Sequence, residues 1–387
     1  MKSLRPGRVL FWVQSLLGSG HLQRIIVLAR ACSEMGIDVL VASGGRPILQ
    51  RIDGSIRFEQ LFPIIADDAC FTMLVDRHGS AIREDDWTRR LSRLRAIWDE
   101  FEPDVLVTEM FPFGRRAFGR ELLPLLETAR ASRPSISVVS SVRDVLVSKK
   151  DPSKYAVMQL ICDELYDHVL VHSDEHLIPF SSTFPFAYSL GTKLLHTGFV
   201  VHELACQENR VRRGVVVSAG GGAVGEKLLS IAREAFALSA PTTHPWRILT
   251  GQNLSERAFL QLSEDAPRGL IVERYRDDFP TILAEASLSI SQAGYNTVVE
   301  CLAAGTPMIL VPFASATEDE QTTRACILAA RGFATVLNEG SLTPSNLARA
   351  VIEGIAREPL QAQPPQLDGA AVTATFLASL AAWRQHD

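Results

Sequence analysis

The sequence has 387 residues, of which 47% are hydrophobic and 21% charged, and its net charge is −5 at pH 7. This length suggests two domains, and the composition is that of a soluble globular protein. Scattered arginines and a negative net charge argue against a nucleic-acid partner. Six dispersed cysteines without a CxxC pair favour a reducing, cytoplasmic setting. No signal peptide is recognised at the start, and no stretch approaches the roughly 20 apolar residues of a membrane span.

The first half of the chain alternates strand and helix patterns. Buried strands are predicted at RVLFWVQ, IDVLVASGG, DVLVTEMF, SISVVSSVRD and HVLVHSD. Helical patterns occupy GSGHLQRIIVLARACSEMG, which stops at Gly36, and the segments 87–101, 118–131 and 155–166. Such alternation predicts a parallel sheet covered on both faces, with right-handed crossovers.

The pattern restarts at GVVVSAGGGAVGEKLLSIAREAF, which repeats the strand, Gly loop and helix of the N-terminus. Further strands are predicted at WRILTGQN, GLIVERY, LSISQAG, PMILVPF and ATVLN. We therefore expect an α/β protein with two Rossmann-like domains, residues 1–200 and 201–365, and a C-terminal helix within 366–387. That helix could cap either domain.

The segment ISQAGYNTVVECLAAGTPMILVPF predicts a strand, a Gly turn, a helix and a second strand. Small residues at the start of the helix leave backbone N–H groups for an anion, which the helix dipole also favours. Asn296, Thr297 and Glu300 share one face of that helix. A ribose diol beside a diphosphate needs an anion site with a neighbouring carboxylate, so the segment indicates a sugar nucleotide. The alternative is an acidic residue that only solvates a helix surface.

The first Gly loop, with Gly18, Ser19 and Gly20, precedes His21 in the first turn of a helix. Strand ends followed by helix starts are where α/β folds bind ligands. GSGH has neither the GxGxxG spacing of a dinucleotide site nor the Lys-Ser/Thr of a P-loop. His21 is thus a candidate general base, its neutral form favoured by the positive helix end. Alternatively, His21 braces the turn.

The second Gly loop contains Gly220, Gly221 and Gly222, which let the backbone approach a phosphate closely. A tight strand-to-helix turn is the alternative interpretation.

Two charged pairs follow strands in the first half. Glu109 ends one strand with Arg115 beyond it, and Arg143 and Asp144 end the next. Each pair could hold an acceptor or assist proton transfer, and each could equally be an internal ion pair.

No metal site is predicted. His168, His172 and His176 recur every four residues, but HVLVHS reads as a strand, so the three would not converge. There is no HExxH motif and no GxSxG elbow.

Taken together, these motifs resemble the MurG-like glycosyltransferases of the GT-B fold, which carry a family 28 C-terminal domain. The resemblance is strongest from Ser287 to Glu339, and both Gly loops match in place and order. Bacterial predicted glycosyltransferases with an FPFGRR segment are similar as well. The resemblance implies two Rossmann-like domains with parallel sheets that face each other across a cleft.

The resemblance also implies roles for particular residues. His21 matches a histidine near the acceptor, in an N-terminal domain that binds it. Glu300 matches the residue that holds the ribose, and Glu320 and Gln321 fall on a Gln-Gln pair that reads sugar hydroxyls. The implied donor-binding set is Gly220, Gly221, Gly222, Arg274, Gly294, Tyr295, Asn296, Thr297, Glu300, Glu320 and Gln321. Taken alone, Glu320 and Gln321 are also ordinary residues for a helix start.

The function expected is an inverting, metal-independent hexosyl transfer without a cofactor, from a nucleotide-diphosphate sugar, usually UDP-linked. The acceptor is an unidentified small-molecule or lipid-linked hydroxyl, and peripheral membrane contact is compatible with it. His21 is the first candidate base, with Glu109 or Asp144 second; Gly18, Ser19, Gly20, Arg115 and Arg143 form the acceptor side. The alternatives are a sugar-nucleotide hydrolase or epimerase, and a non-catalytic sugar-nucleotide-binding subunit.

Overall fold

The computed structural model describes residues 5–47, 54–67, 73–201, 212–220, 225–239, 245–313, 319–357 and 363–382. The chain divides into two compact units. The first unit is Met1–Val200 with Gln366–Asp387, and the second unit is Val201–Pro365. Each unit is an α/β domain on its own parallel sheet, which confirms the predicted fold class.

The first unit is built on a parallel sheet. Its described strands are β1 (Arg8–Val13), β2 (Asp38–Ser43), β3 (Ile56–Gln60), β4 (Ile65–Ala66), β5 (Leu74–Val75), β6 (Val105–Glu109), β7 (Ser137–Val142), β8 (His168–Val171) and β9 (Leu194–His196). Among the described residues, β4 and β5 pair with each other, and the other seven form one sheet in the order β3-β2-β1-β6-β7-β8-β9. The inner strands are apolar runs because both of their faces are buried.

The first four described α-helices of the first unit cover this sheet. They are α1 (Gly20–Glu34), α2 (Glu84–Phe101), α3 (Gly119–Ser132) and α4 (Ser153–Leu165). Leu22, Ile25 and Leu28 of α1 repeat at helical spacing and are buried against one face of the sheet. On the opposite face, α2 and α3 bury residues such as Trp98 and Leu122. Both faces of the sheet are therefore closed, and its carboxyl edge remains for a site.

The second unit repeats this architecture. Its described strands are β10 (Val215–Ser218), β11 (Trp246–Leu249), β12 (Leu270–Glu273), β13 (Leu288–Ser291), β14 (Met308–Leu310) and β15 (Ala334–Val336), in the parallel order β12-β11-β10-β13-β14-β15. Its described helices are α5 (Glu226–Leu238), α6 (Glu256–Ser263), α7 (Phe279–Glu285), α8 (Tyr295–Ala304), α9 (Glu320–Ala330) and α10 (Pro344–Ala356).

The last helix, α11 (Gly369–Ala382), belongs to the first unit. Its Ala374, Leu377 and Ala381 are buried in the same hydrophobic core as α1. A Cβ on Gly369 would lie 2.3 Å from the carbonyl oxygen of Gly198, so the entry to α11 requires glycine. The packing of α11 therefore shows that it caps the first unit.

A buried polar network braces the carboxyl edge of the first sheet. Nε and Nη2 of Arg90 donate to the two carboxylate oxygens of Glu121, at 2.6 and 2.8 Å. Nη2 of Arg90 also lies 2.9 Å from Oε1 of Gln14, whose amide nitrogen donates to the carbonyl of Gly44. Trp12 completes the network by donating its indole N–H to Glu121 at 3.0 Å. The chain after β1 is therefore fixed to the chain after β2.

Candidate active site

The first Gly loop leads from β1 into α1 at the carboxyl edge of the first sheet. Gly18 has φ +46°, a left-handed conformation that glycine adopts readily, and it is exposed together with Ser19. Gly20 is the first residue of α1, and Ser19 is its N-cap. The loop therefore leaves the first turn of α1, with His21, at the surface of the sheet edge.

His21 is paired with Glu109. Its Nδ1 lies 2.8 Å from Oε1 of Glu109. The His21 side chain is 12% exposed, whereas Glu109 is fully buried at the end of β6. Because a carboxylate can only accept hydrogen bonds, Nδ1 carries the proton and Nε2 keeps the lone pair. The imidazole is thus held in the tautomer that a general base needs.

Positive charge surrounds this pair. Arg24, one turn along α1 and also buried, forms an ion pair with Oε1 of Glu109. Burial, followed by the charges of Arg143, Arg115 and Arg24, holds the pKa of His21 well below its ordinary value of 6.5. His21 is therefore neutral at pH 7 and can take up a proton.

Three further polar residues form a hydrogen-bond chain that extends from Glu109 into the protein. The Ser141 hydroxyl donates to Oε2 of Glu109 at 2.6 Å. Ser141 Oγ lies 2.9 Å from Nε2 of His172, and Nδ1 of His172 lies 2.9 Å from the Thr197 hydroxyl. All three side chains are fully buried.

The sequence did not predict this hydrogen-bond chain. We considered His172 only as one of three evenly spaced histidines, and Ser141 and Thr197 not at all. A usable signal existed for two of them, because Ser141 and His172 lie near the carboxyl ends of predicted strands, whereas Thr197 follows β9, which was not predicted. Their meeting depends on strand register, which pairs Glu109 with Ser141.

Two other predicted residues lie close to His21, and a third has a different partner. Arg115 donates through Nε to the carbonyl of Gln14 at 2.8 Å. Arg115 and Arg143 are close enough for their charges to lower the pKa of His21. Asp144 is buried and accepts from the N–H of Val145 at 2.8 Å, whereas Glu109 is the carboxylate that contacts His21.

The second Gly loop follows β10 in the second unit. Gly220 has φ +58° and donates its N–H to Oγ of Ser218 at 3.2 Å. Gly221 and Gly222 lie outside the described residues. Gly225 caps α5, and a Cβ there would lie 2.2 Å from Cβ of Ala219. Glycine is therefore required where α5 starts close to the end of β10.

The start of α8 follows β13 at the same edge of the second sheet. Gly294 is its N-cap, and a Cβ there would have open space around it. Tyr295 is buried, and Asn296 and Thr297 are half-buried. One turn further along α8, burial raises the pKa of Glu300 to about 7.

Glu300 lies beside the segment that follows β12. Burial, Asp277 and then the negative charge of Glu300 raise the pKa of Tyr275, so the two side chains are close. Among the described residues, none forms a hydrogen bond or an ion pair with Glu300. A half-buried carboxylate without such a partner can accept hydrogen bonds from a ligand.

Glu320 and Gln321 are both tied into the protein. Glu320 is 6% exposed and accepts from Nη2 of Arg324 at 2.8 Å. Arg324 is fully buried and also donates to the carbonyl of Ala293 at 2.7 Å, just before Gly294. Gln321 accepts from the N–H of Phe313 at 3.1 Å. Arg324 thus joins the start of α9 to the turn before α8.

Arg274 braces a different loop. It donates to the carbonyl of Leu254 at 2.9 Å, forms an ion pair with Glu256 and stacks over Phe259 at 4.2 Å. Its carbonyl accepts from the N–H of Gly251 at 2.8 Å. The side chain of Arg274 therefore supports the backbone between β11 and α6.

Residues 215–374 match the model of the glycosyltransferase family 28 C-terminal domain. A Natranaerobius thermophilus UDP-N-acetylglucosamine--N-acetylmuramyl-(pentapeptide) pyrophosphoryl-undecaprenol N-acetylglucosamine transferase is 33% identical over 145 residues. That alignment covers 35% of this chain and 38% of the relative. The Desulfotalea psychrophila enzyme of the same name is 29% identical over 167 residues, 41% of this chain and 45% of that protein. The chain thus spans less than half the length of these curated relatives.

Solved structures extend the likeness to both units. MurG from Acinetobacter baumannii superposes with a TM-score of 0.62 at 19% identity, covering 97% of this chain and 100% of that one. The chain therefore has the GT-B fold of these solved glycosyltransferases, and its residues 215–374 match a glycosyltransferase family 28 C-terminal domain. The calicheamicin glycosyltransferase CalG4 gives the same TM-score at 17% identity, covering 98% and 95% of the two chains.

Neither a candidate metal cluster nor a membrane-spanning helix occurs among the described residues. Within the described ranges, no group of three or more His, Cys, Asp or Glu side chains is placed to hold a metal ion. No described helix combines the length and apolar character that crossing a membrane requires.

Proposed function

We propose that the protein transfers a hexosyl group from a nucleotide-diphosphate sugar, UDP-linked, to the hydroxyl of a small-molecule or lipid-linked acceptor. The observation that carries this proposal is the pair formed by His21 and the buried carboxylate of Glu109. It provides a neutral imidazole at the sheet edge where α/β folds bind ligands. The names of the curated relatives support a UDP-sugar donor and a lipid-linked acceptor.

In the proposed reaction, the first unit binds the acceptor and supplies the base. The acceptor oxygen attacks the anomeric carbon while its proton passes to Nε2 of His21. The bond between that carbon and the diphosphate oxygen breaks, and its electron pair leaves with the nucleoside diphosphate. Attack from the opposite face inverts the anomeric centre. Glu109 stabilises the imidazolium that forms, so Glu109 orients the base and His21 takes the proton.

The second unit binds the donor in this proposal. Backbone N–H groups at the start of α8 hold the diphosphate, with the helix dipole favouring its charge, and Gly220 lets the backbone of the second Gly loop approach it closely. Glu300 accepts hydrogen bonds from the ribose hydroxyls. Because these groups stabilise the departing diphosphate, the proposed transfer needs no essential metal.

A thermal-shift screen of nucleotides and sugar nucleotides tests the donor. A ligand at a hundred times its dissociation constant stabilises the folded state by about 2.7 kcal/mol, so a true donor raises the melting temperature measurably. If no nucleoside diphosphate or UDP-sugar does so, the donor proposal is wrong.

Incubation with each stabilising UDP-sugar, with and without an acceptor panel and with EDTA, tests the reaction. Transfer that survives EDTA supports the proposal. Release of free sugar at the same rate without acceptor identifies a hydrolase, and a changed sugar configuration identifies an epimerase. Donor binding without turnover on any acceptor indicates a binding subunit.

A further inference from the structure

We propose that Ser141 and His172 are positioning residues for the base. Together with Thr197, they form a buried hydrogen-bond chain that fixes Glu109 and, through Glu109, the ring of His21. This inference rests on the proposed function of His21 as the base. It adds two residues, Ser141 and His172, which do not contact His21 themselves.

The chain lies on one face of the first sheet. Strand register pairs Glu109 of β6 with Ser141 of β7. Ser141 pairs in turn with Leu170 of β8, so His172, two residues further on, points to the same face. Valines occupy the preceding positions of this face, for example Val107. The α1 face is thus apolar at its centre, and Glu109, Ser141 and His172 follow at its carboxyl edge, below His21.

The protonation pattern of the chain follows from the acceptor at one end. Glu109 is a carboxylate, so the single Ser141 proton points to it. Ser141 must then accept from Nε2–H of His172. Burial and Arg24 keep the pKa of His172 well below 6.5, so His172 is neutral and its Nδ1 accepts from the Thr197 hydroxyl. Every link therefore donates toward Glu109.

This directionality has a consequence for His21. Oε2 of Glu109 accepts from Ser141, and Oε1 contacts His21 and Arg24, so both carboxylate oxygens have partners. Loss of the Ser141 donor leaves Oε2 with one fewer hydrogen bond, which concentrates negative charge beside the imidazole. The charged groups that face His21 otherwise stay the same: Arg24 on its own helix, and Arg115 and Arg143 on the loops after β6 and β7.

The experiment compares Ser141→Ala with Ser140→Ala. Ser140 is the preceding residue of β7 and is equally buried, and its hydroxyl donates to the carbonyl of Phe111 at 2.8 Å. It lies on the opposite face and outside the chain. Both variants lose one buried hydroxyl, so a purely structural effect is shared between them.

The first readout is the titration of His21, followed by NMR of the ¹⁵N-histidine-labelled full-length protein. In Ser141→Ala, we expect the His21 midpoint to rise by about 0.5–1 pH unit. The variant loses a hydrogen bond to the charged Glu109, and only part of that change in free energy reaches His21. His172→Leu should give a smaller rise in the same direction, because Ser141 still donates to Glu109 but loses the donor that orients its hydroxyl. His172→Gln should restore most of the parent value, because its amide N–H can replace Nε2–H. Ser140→Ala should titrate like the parent.

The second readout is turnover of the donor. Ser141→Ala should lower kcat by roughly tenfold, as expected for loss of an orienting partner, with little change in KM for the donor. If Ser141→Ala and His172→Leu titrate and turn over like Ser140→Ala, the chain is structural only and the inference is wrong. Should Ser141→Ala not fold, His172→Leu and His172→Gln test the same link.

The two proposals fail separately. Titration of His21 does not depend on turnover, so full activity in His21→Ala would overturn the proposed base while leaving the hydrogen-bond chain measurable. Unchanged titration in Ser141→Ala, with an inactive His21→Ala, would overturn only the positioning role.

Discussion

Nδ1 of His21 lies 2.8 Å from Oε1 of Glu109, and this contact assigns different roles to two residues that the sequence offered as alternative bases. Glu109 is fully buried and ion-paired with Arg24, so it is poorly placed to receive a proton from an acceptor. His21 is partly exposed and neutral. In the proposed reaction, the pair therefore acts as a base with its orienting carboxylate.

The first prediction concerns pH. A base must be unprotonated, so activity falls as the pH falls through the pKa of His21. Because burial and three arginines hold that pKa well below 6.5, the His21-dependent limb of kcat/KM should lie well below pH 6.5, and the rate should be flat between pH 6.5 and 8. A pH–rate profile checks this. A limb centred near pH 7 would contradict it.

The second prediction is that His21→Ala lowers turnover by about 10²–10⁴-fold, the range for a lost general base. His176→Ala is the control, since that histidine is exposed. Circular dichroism should show both variants folded. Turnover near the parent value in a folded His21→Ala protein would reject the role of His21.

The third prediction concerns stability and Glu300. Its pKa is raised in the folded state to about 7 from 4.5, so the unfolded chain loses this proton first as the pH rises. The contribution of Glu300 therefore lowers the free energy of unfolding increasingly as the pH rises from about 4.5 to 7. Glu300→Gln removes the penalty. Its gain in free energy of unfolding over the parent should grow by about 2–3 kcal/mol between pH 5 and pH 8. Urea titrations of ligand-free protein at both pH values measure this, and an equal effect at both would contradict it.

The fourth prediction is the functional counterpart of that stability penalty. Glu300→Ala should weaken binding of a UDP-sugar by about 10–100-fold, because charge-assisted hydrogen bonds to the ribose are lost. Glu353→Ala, an exposed carboxylate on α10, is the control. A 2′-deoxyribose donor should lose less affinity in Glu300→Ala than the ribose donor does. Equal losses would show that Glu300 does not contact the 2′-hydroxyl.

Much of the fold could be predicted from the sequence because the signals are long and periodic. The strand at 8–13 and the helix that starts at Gly20 follow from an apolar run, a Gly loop and a 3.6-residue repeat. Strand β9, Leu194–His196, was missed because three half-buried residues carry no such pattern. The place of α11 was left open, since an almost wholly apolar helix fits any core and only its contacts with α1 decide.

The candidate site was predictable in part, for a different reason. Gly loops and the helix that carries Glu300 are local signals, so the sequence contains them. The partner of His21 is not local. Glu109 is 88 positions from His21 along the chain, and Arg24 faces it only after α1 has packed onto the sheet. Which charged residue pairs with which is decided by register and packing, and neither is readable from one sequence.

The fifth prediction tests the importance of buried charge in the first unit. Glu121 and Arg90 are both fully buried, so Glu121→Leu leaves a guanidinium without its counter-charge in the core. Removing one partner of a buried pair costs about 3–5 kcal/mol. Glu84→Leu is the matched control, because Glu84 pairs with Arg120 at the surface, where such pairs are worth about 0–1 kcal/mol.

The double variant Arg90→Met/Glu121→Leu decides whether charge or packing dominates this cost. An apolar pair of similar volume removes the uncompensated charge, so the double variant should recover a large part of the loss seen in Glu121→Leu. It should not recover all of it, because Trp12 and Gln14 also bond to this pair. Chemical denaturation of the four proteins measures the cycle. A double variant as unstable as the sum of both single variants would show that packing, rather than the unpaired charge, sets the stability of this core.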